Sequence, residues 1–220
     1  MPSLSPVLGT RGYERVVDRF IATSQALAFE VVNAAFLKVL PAQGARVLDV
    51  GAGAGQNASA LAQRGYAVVA VEPFPAFLEA AQATYPERGI RWVADSLPRL
   101  SALDESPGSF DFVLVDGVWH HLDAWEQRKA LARLAALLRP GGHAALSLRH
   151  GPAGAGTHVF PTDGEETAAW GAVCGLETVL HRRNQPSLMP NKRAVTWTRL
   201  ALRKREATPT TVDATSESDR

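Results

Sequence analysis

Apolar residues recur along this chain in two different rhythms. Between Arg11 and Leu40 they return every three or four positions, as in Val16, Phe20, Leu27, Val32, Phe36 and Val39, which predicts helix. Ser24 is a candidate N-cap dividing that stretch into two helices, and Pro41 stops it. Beyond it lie short runs that are apolar at almost every position: 47–50, 67–71, 90–93, 112–115 and 144–148. Such runs fit strands buried on both faces. Helical patterns at 56–64, 75–84 and 124–138 separate them. Strands alternating with helices predict an α/β fold with a mostly parallel, doubly wound sheet.

The last third changes character. A Gly/Ala/Pro loop at 151–161 precedes a helix at 163–173, a strand at 176–182, a polar connection at 184–193 and a strand at 194–202. Two strands with no helix between them predict an antiparallel hairpin. Residues 1–10, with Pro2, Pro6 and Gly9, read as a flexible lead-in, and the Thr/Ser/Asp/Glu-rich stretch 207–220 as a disordered tail. The expectation is a single domain over 11–206, with 11–40 as a helical lid, 44–150 as the core and 151–206 as a substrate-side loop and closing hairpin.

Composition narrows the classes. With 220 residues the chain is long enough for one full core, and a net charge of +1 implies no electrostatic commitment to nucleic acid or membrane. The one cysteine, Cys174, excludes an intramolecular disulfide and a thiolate metal cluster. No apolar run reaches signal-peptide or membrane-span length, so a cytoplasmic protein, monomer or homodimer, is expected. No carboxylate set for Mg²⁺ stands out, and no metal is expected.

Chemistry gathers after the first apolar run. Val47, Leu48 and Val50 lead into glycines at 51, 53 and 55, then into a helix from Gln56. A strand, a glycine turn and a helix N-terminus make a cradle for a ligand. A dinucleotide fingerprint needs its third glycine at position 56, where this chain has Gln. Glu72 ends the second strand, followed by Pro73 and Phe74. A carboxylate there can accept from both hydroxyls of a ribose, and Phe74 is placed to cover an adenine face.

Asp49-Val-Gly-Ala-Gly-Ala-Gly55 resembles motif I of the class I S-adenosylmethionine-dependent methyltransferases. Phe110 to Leu122, with Asp116, Trp119, His120 and His121, resembles the family's motif IV. Leu-Arg-Pro-Gly-Gly at 138–142 is similar to a third element of that family, and Val93-Ala-Asp-Ser96 occupies a fourth, all in the family's order. The resemblance implies a seven-stranded sheet under an N-terminal helical lid, S-adenosylmethionine as cofactor and S-adenosylhomocysteine as product. It implies that Asp49 helps hold the methionine ammonium, that the backbone around Gly51 and Asp116 holds the rest of that moiety, and that Ala52, Gly53, Gly55 and Asn57 are also cofactor-binding. Asp95 would accept from the adenine amino group, with Ser96 beside it. His120 and His121 fall near the methyl group, where one of them, His120 first, would serve as base. Tyr13, Trp119, Arg149 and His150 are candidates for the substrate side, Arg149 for an anionic group, and Trp197 for an apolar wall. The acceptor is expected to be a small molecule methylated on oxygen or nitrogen. A cluster of basic residues from Arg182 to Arg205 keeps an RNA methyltransferase open as an alternative, as is a non-catalytic nucleoside-binding domain.

Overall fold

The computed structural model describes residues 7–86, 89–103, 105–189 and 192–206; the tail expected at 207–220 and most of the lead-in lie outside them. Seven strands form one sheet in the order β3-β2-β1-β4-β5-β7-β6. They are β1 (Arg46–Val50), β2 (Ala67–Val71), β3 (Ile90–Val93), β4 (Phe110–Val115), β5 (Leu138–His150), β6 (Leu176–Pro186) and β7 (Thr196–Lys204). The first five are parallel, and β7 runs antiparallel between β5 and β6. From β1 the chain winds outward through β2 and β3, then returns to place β4 on the other side of β1. The strand order therefore reverses between β1 and β4, where open α/β sheets form their crevice.

Side chains along β1 and β4 alternate between two cores. On one face Leu48, Val50, Val113 and Val115 pack with Leu131 and Leu134 of α5 (Ala124–Leu137). On the other, Val47, Phe112 and Leu114 pack with Leu61 of α3 (Gln56–Gln63) and with Phe29 and Phe36. Two aspartates fix where helices begin. Asp123 and Glu126 form a reciprocal capping box at α5, and Asp163 accepts from the Glu165 and Glu166 amides at α6 (Gly164–Val173). Pro75 opens α4 (Pro75–Thr84), where its missing N–H is no loss.

Two expectations need correction. The 11–40 stretch is not a pair of long helices: one-turn 3-10 helices at Leu8–Thr10, Tyr13–Arg15 and Leu37–Val39 bracket α1 (Val17–Gln25) and α2 (Phe29–Val32). Ser24 lies inside α1, and the break comes at Ala28, which is extended. That break lets Phe20 face the crevice while Phe29 and Phe36 reach the core beside α3. Likewise the 138–142 segment, which the pattern leaves between a helix ending at 138 and a strand starting at 144, is itself strand. β5 starts at Leu138, opposite Phe110, and its register shifts before His143 meets Phe112, with Gly141 at φ +76° within the irregularity. Among the described residues no helix is long and apolar enough to cross a membrane.

Candidate active site

A cavity of about 750 Å³ opens at the carboxyl ends of β1, β2 and β4, roofed by residues from Val7 to Val32 and by the 154–158 loop. Its floor is the glycine turn. Gly51 has φ +71° and a Cβ there would overlap Val118 Cγ2, so this position demands glycine on two counts. The Gly51 and Ala52 amides donate to Val71 O, at 2.8 and 2.9 Å, tying the turn to β2.

Glu72 closes one end. One carboxylate oxygen accepts from Gly53 N and the other from Phe74 N, both at 2.8 Å. Burial raises its pKa to about 7, opposed by those two backbone donors. Each oxygen keeps a lone pair, and Glu72 lines the cavity. Beside it runs an aromatic wall. Phe74 meets Phe77 edge-on at 4.8 Å, Phe77 stacks on Phe20 at 4.3 Å, and Phe20 meets Tyr13 edge-on at 5.1 Å.

At the end of β4, Asp116 accepts from Ser147 Oγ, from Arg199 Nη1 at 3.0 Å and, weakly, from Asn57 Nδ2 at 3.5 Å. Ser147 and Arg199 face each other across the β5–β7 ladder, which is how a residue near the chain's end reaches this spot. Arg199 is 8 % exposed. It lines the cavity, although along the sequence it belongs to the basic cluster from Arg182 to Arg205. The one available signal was an arginine directly before the apolar run Leu200-Ala201-Leu202. Others of that basic group also have partners: Arg183 pairs with Glu165 and Arg203 with Glu177, while Lys192 lines the cavity.

The histidines differ sharply. His121 Nδ1 lies 2.8 Å from His158 O, so that nitrogen carries the proton; Nε2 is left to accept from the Tyr13 hydroxyl at 3.1 Å. Burial lowers the His121 pKa, and burial pushes Tyr13 up to about 12. Both are neutral near pH 7. His120 is driven down to about 2, first by burial and then by the charges of His121, Arg149 and Lys192, and its Nδ1 has no partner among the described residues. Both histidines line the cavity, and only His121 has its ring fixed by hydrogen bonds at both nitrogens.

Of the other expected site residues, Gly51, Ala52, Gly53, Asn57, Pro73, Phe74, Ser96, Asp116, Tyr13, Arg149 and Trp197 line the cavity. Five do not. Asp49 lies beneath the turn, where it accepts from Ala58 N. Gly55 caps α3 at φ +88°, and a Cβ there would press on Ala81, Trp92 and Tyr85, so packing rather than a ligand requires it. Asp95 spends its carboxylate on the amides of Ser96, Ala102 and Leu103, shaping the loop whose Ser96 and Leu97 reach the cavity. Trp119 is fully buried in the core. His150 turns to Thr198 Oγ1, 2.8 Å away, and clasps the β5–β7 edge. Among the described residues no cluster of His, Cys, Asp or Glu could hold a metal.

Residues 48–146 match the family model described as a methyltransferase domain. An uncharacterised methyltransferase of Mycobacterium bovis is 39 % identical over 109 residues, covering 49 % of this chain and 41 % of its own length. The chain thus spans about two fifths of the length of that relative. The ubiquinone biosynthesis O-methyltransferase of Xanthomonas euvesicatoria is 35 % identical over 106 residues, 47 % of this chain and 43 % of that protein. Among solved structures, the 1,6-didemethyltoxoflavin-N1-methyltransferase of Burkholderia thailandensis, with bound 1,6-didemethyltoxoflavin and S-adenosylhomocysteine, superposes with a TM-score of 0.66. It is 25 % identical and covers 94 % of this chain and 93 % of its own.

Proposed function

From the premise that this chain carries a class I, S-adenosylmethionine-dependent methyltransferase domain, we propose that it transfers a methyl group from S-adenosylmethionine to an oxygen or nitrogen of a small-molecule acceptor. One observation carries the reading: a single cavity joins the Glu72-bridged glycine turn to the Tyr13–His121 pair.

The residues fit the cofactor. The φ of Gly51 and the absence of its Cβ let a ligand approach the main chain, Glu72 retains lone pairs for two ribose hydroxyls, and Phe74 offers an apolar face. Asp116, fixed by Ser147 and Arg199, presents its backbone beside the turn. The cofactor, when bound, supplies an electrophilic methyl, so the protein's tasks are alignment, exclusion of water and removal of a proton.

Proton removal falls to Tyr13 and His121. A neutral acceptor O–H or N–H donates to the Tyr13 oxygen as Tyr13 passes its own proton to His121 Nε2. The His158 carbonyl, holding Nδ1–H, keeps the ring in the tautomer this needs. His120 shapes the pocket. The 7–32 roof and the 154–158 loop keep water out, pinned together by Thr157 N on Arg11 O at 2.9 Å.

The test is release of S-adenosylhomocysteine over a panel of small phenols, carboxylic acids and amines. Turnover with at least one is expected. His121→Asn should cut it about 100-fold, and Tyr13→Phe combined with it should add little, because the two act as one relay. Binding without turnover on any acceptor would favour a non-catalytic domain. Full rates in both variants would remove the relay.

A further inference from the structure

Resting on the methyltransferase reading, we propose that the acceptor is anionic and that Arg149 and Lys192 receive its negative group.

Two arginines stand on neighbouring strands of this cavity, nearly equally buried: Arg149 of β5 at 9 % exposure and Arg199 of β7 at 8 %. Arg199 is neutralised by Asp116 at 3.0 Å. Arg149 is not. Its guanidinium makes one long hydrogen bond, Nη1 to Gly151 O at 3.4 Å, and among the described residues no carboxylate lies within ion-pairing distance. Lys192 lines the same cavity and likewise has no acidic partner among the described residues.

The cavity's own acids are committed elsewhere. Glu72 is held by Gly53 and Phe74, Asp116 by Arg199 and Ser147, and Glu126 by the capping box of α5. Tyr13, whose phenol faces Arg149 electrostatically, is neutral at working pH. Burial and then the Arg149 charge lower the Lys192 pKa, and the Arg149 charge also lowers those of His120 and His121. A buried cation without a counter-charge is unfavourable in the free protein and is relieved when an anion arrives. A planar guanidinium next to a flexible ammonium suits a carboxylate or a phosphate.

The anion could come from either of two sources, a carboxylate on the acceptor or the methionine carboxylate of the cofactor. The anion belongs to the acceptor, because the Arg149 charge acts on Tyr13, His120 and His121 at the far end of the cavity and not on Glu72 at the glycine turn.

Calorimetry on the protein saturated with S-adenosylhomocysteine separates them, with benzoate, methyl benzoate and inorganic phosphate as probes. Benzoate should bind at least about tenfold tighter than its neutral ester, as one charge-assisted pair predicts. Arg149→Gln and Lys192→Gln should each weaken benzoate by about tenfold or more, with S-adenosylhomocysteine affinity within about twofold of wild type. Lys192 is exposed, so its variant tests the idea even where Arg149→Gln folds poorly. Equal uptake of acid and ester, or binding of neither benzoate nor phosphate, overturns the proposal. So does a large loss of S-adenosylhomocysteine affinity in either variant, which would give the cations to the cofactor. Failure of wild type to bind S-adenosylhomocysteine at all would instead overturn the methyltransferase reading beneath it.

Discussion

Gly51→Val is expected to abolish S-adenosylhomocysteine binding while the sheet stays folded. At φ +71° an L side chain costs about 1–2 kcal/mol. A β-branched one is an outlier there. The new Cβ would overlap Val118 Cγ2, so either the turn or Val118 must move into the cavity. Overpacking of this kind costs about 1–3 kcal/mol. Together the terms reach roughly 2–5 kcal/mol, at least about 30-fold in affinity if the turn is the cradle. Gly65→Ala is the control: its φ is +84°, but it lies outside the cavity. It should lose stability and keep its affinity. Calorimetry beside a thermal melt checks both, and unchanged affinity in Gly51→Val would mean the ligand sits elsewhere.

The second large effect is on stability against pH. Asp49 is 1 % exposed and has one oxygen without a hydrogen-bond partner. Burial, then the charges of Asp116 and Glu72, raise its pKa to about 8 from 3.8. The folded form therefore holds a proton that the unfolded chain releases near pH 4. The associated stability is fully present below the unfolded value and is lost as pH rises through about 8. Between pH 6 and 9 the ligand-free protein should lose about 2–3 kcal/mol through Asp49, and roughly 1 kcal/mol more through Glu72. Asp49→Asn should remove the larger part and leave the variant more stable than wild type at pH 9. Urea unfolding at pH 6 and pH 9 measures it. A wild-type stability that rises across that interval would contradict the account.

Some of this protein was readable from its residues and some was not, for physical reasons. Strands β2 and β3 fall where their apolar runs predict, β2 because a strand buried on both faces leaves little ambiguity, and β3 although it is a half-buried edge strand. α4 is bounded by Pro75, and its start was legible for the same local reason. Glu72 was placed by its position at a strand end. Gly55 misled: glycines spaced by two suggest a ligand, yet at 55 the neighbour that excludes a Cβ is another part of the fold. Asp95 serves the loop that follows it through the amides of Ser96, Ala102 and Leu103, contacts that a carboxylate's place after a strand does not reveal. Arg199 was out of reach. Its place beside Asp116 depends on the antiparallel register that sets it opposite Ser147, and register across a long connection is not written in composition or periodicity. The same holds for the ring of His121, which is oriented by a carbonyl at residue 158.

The most direct test of the central claim is calorimetric titration of the wild-type protein with S-adenosylmethionine and S-adenosylhomocysteine, with NAD as control. The account predicts saturable 1:1 binding of both sulfur compounds and none of NAD. Binding of NAD in their place, or of none of the three, would contradict it and remove the roles given to Glu72, Tyr13 and His121.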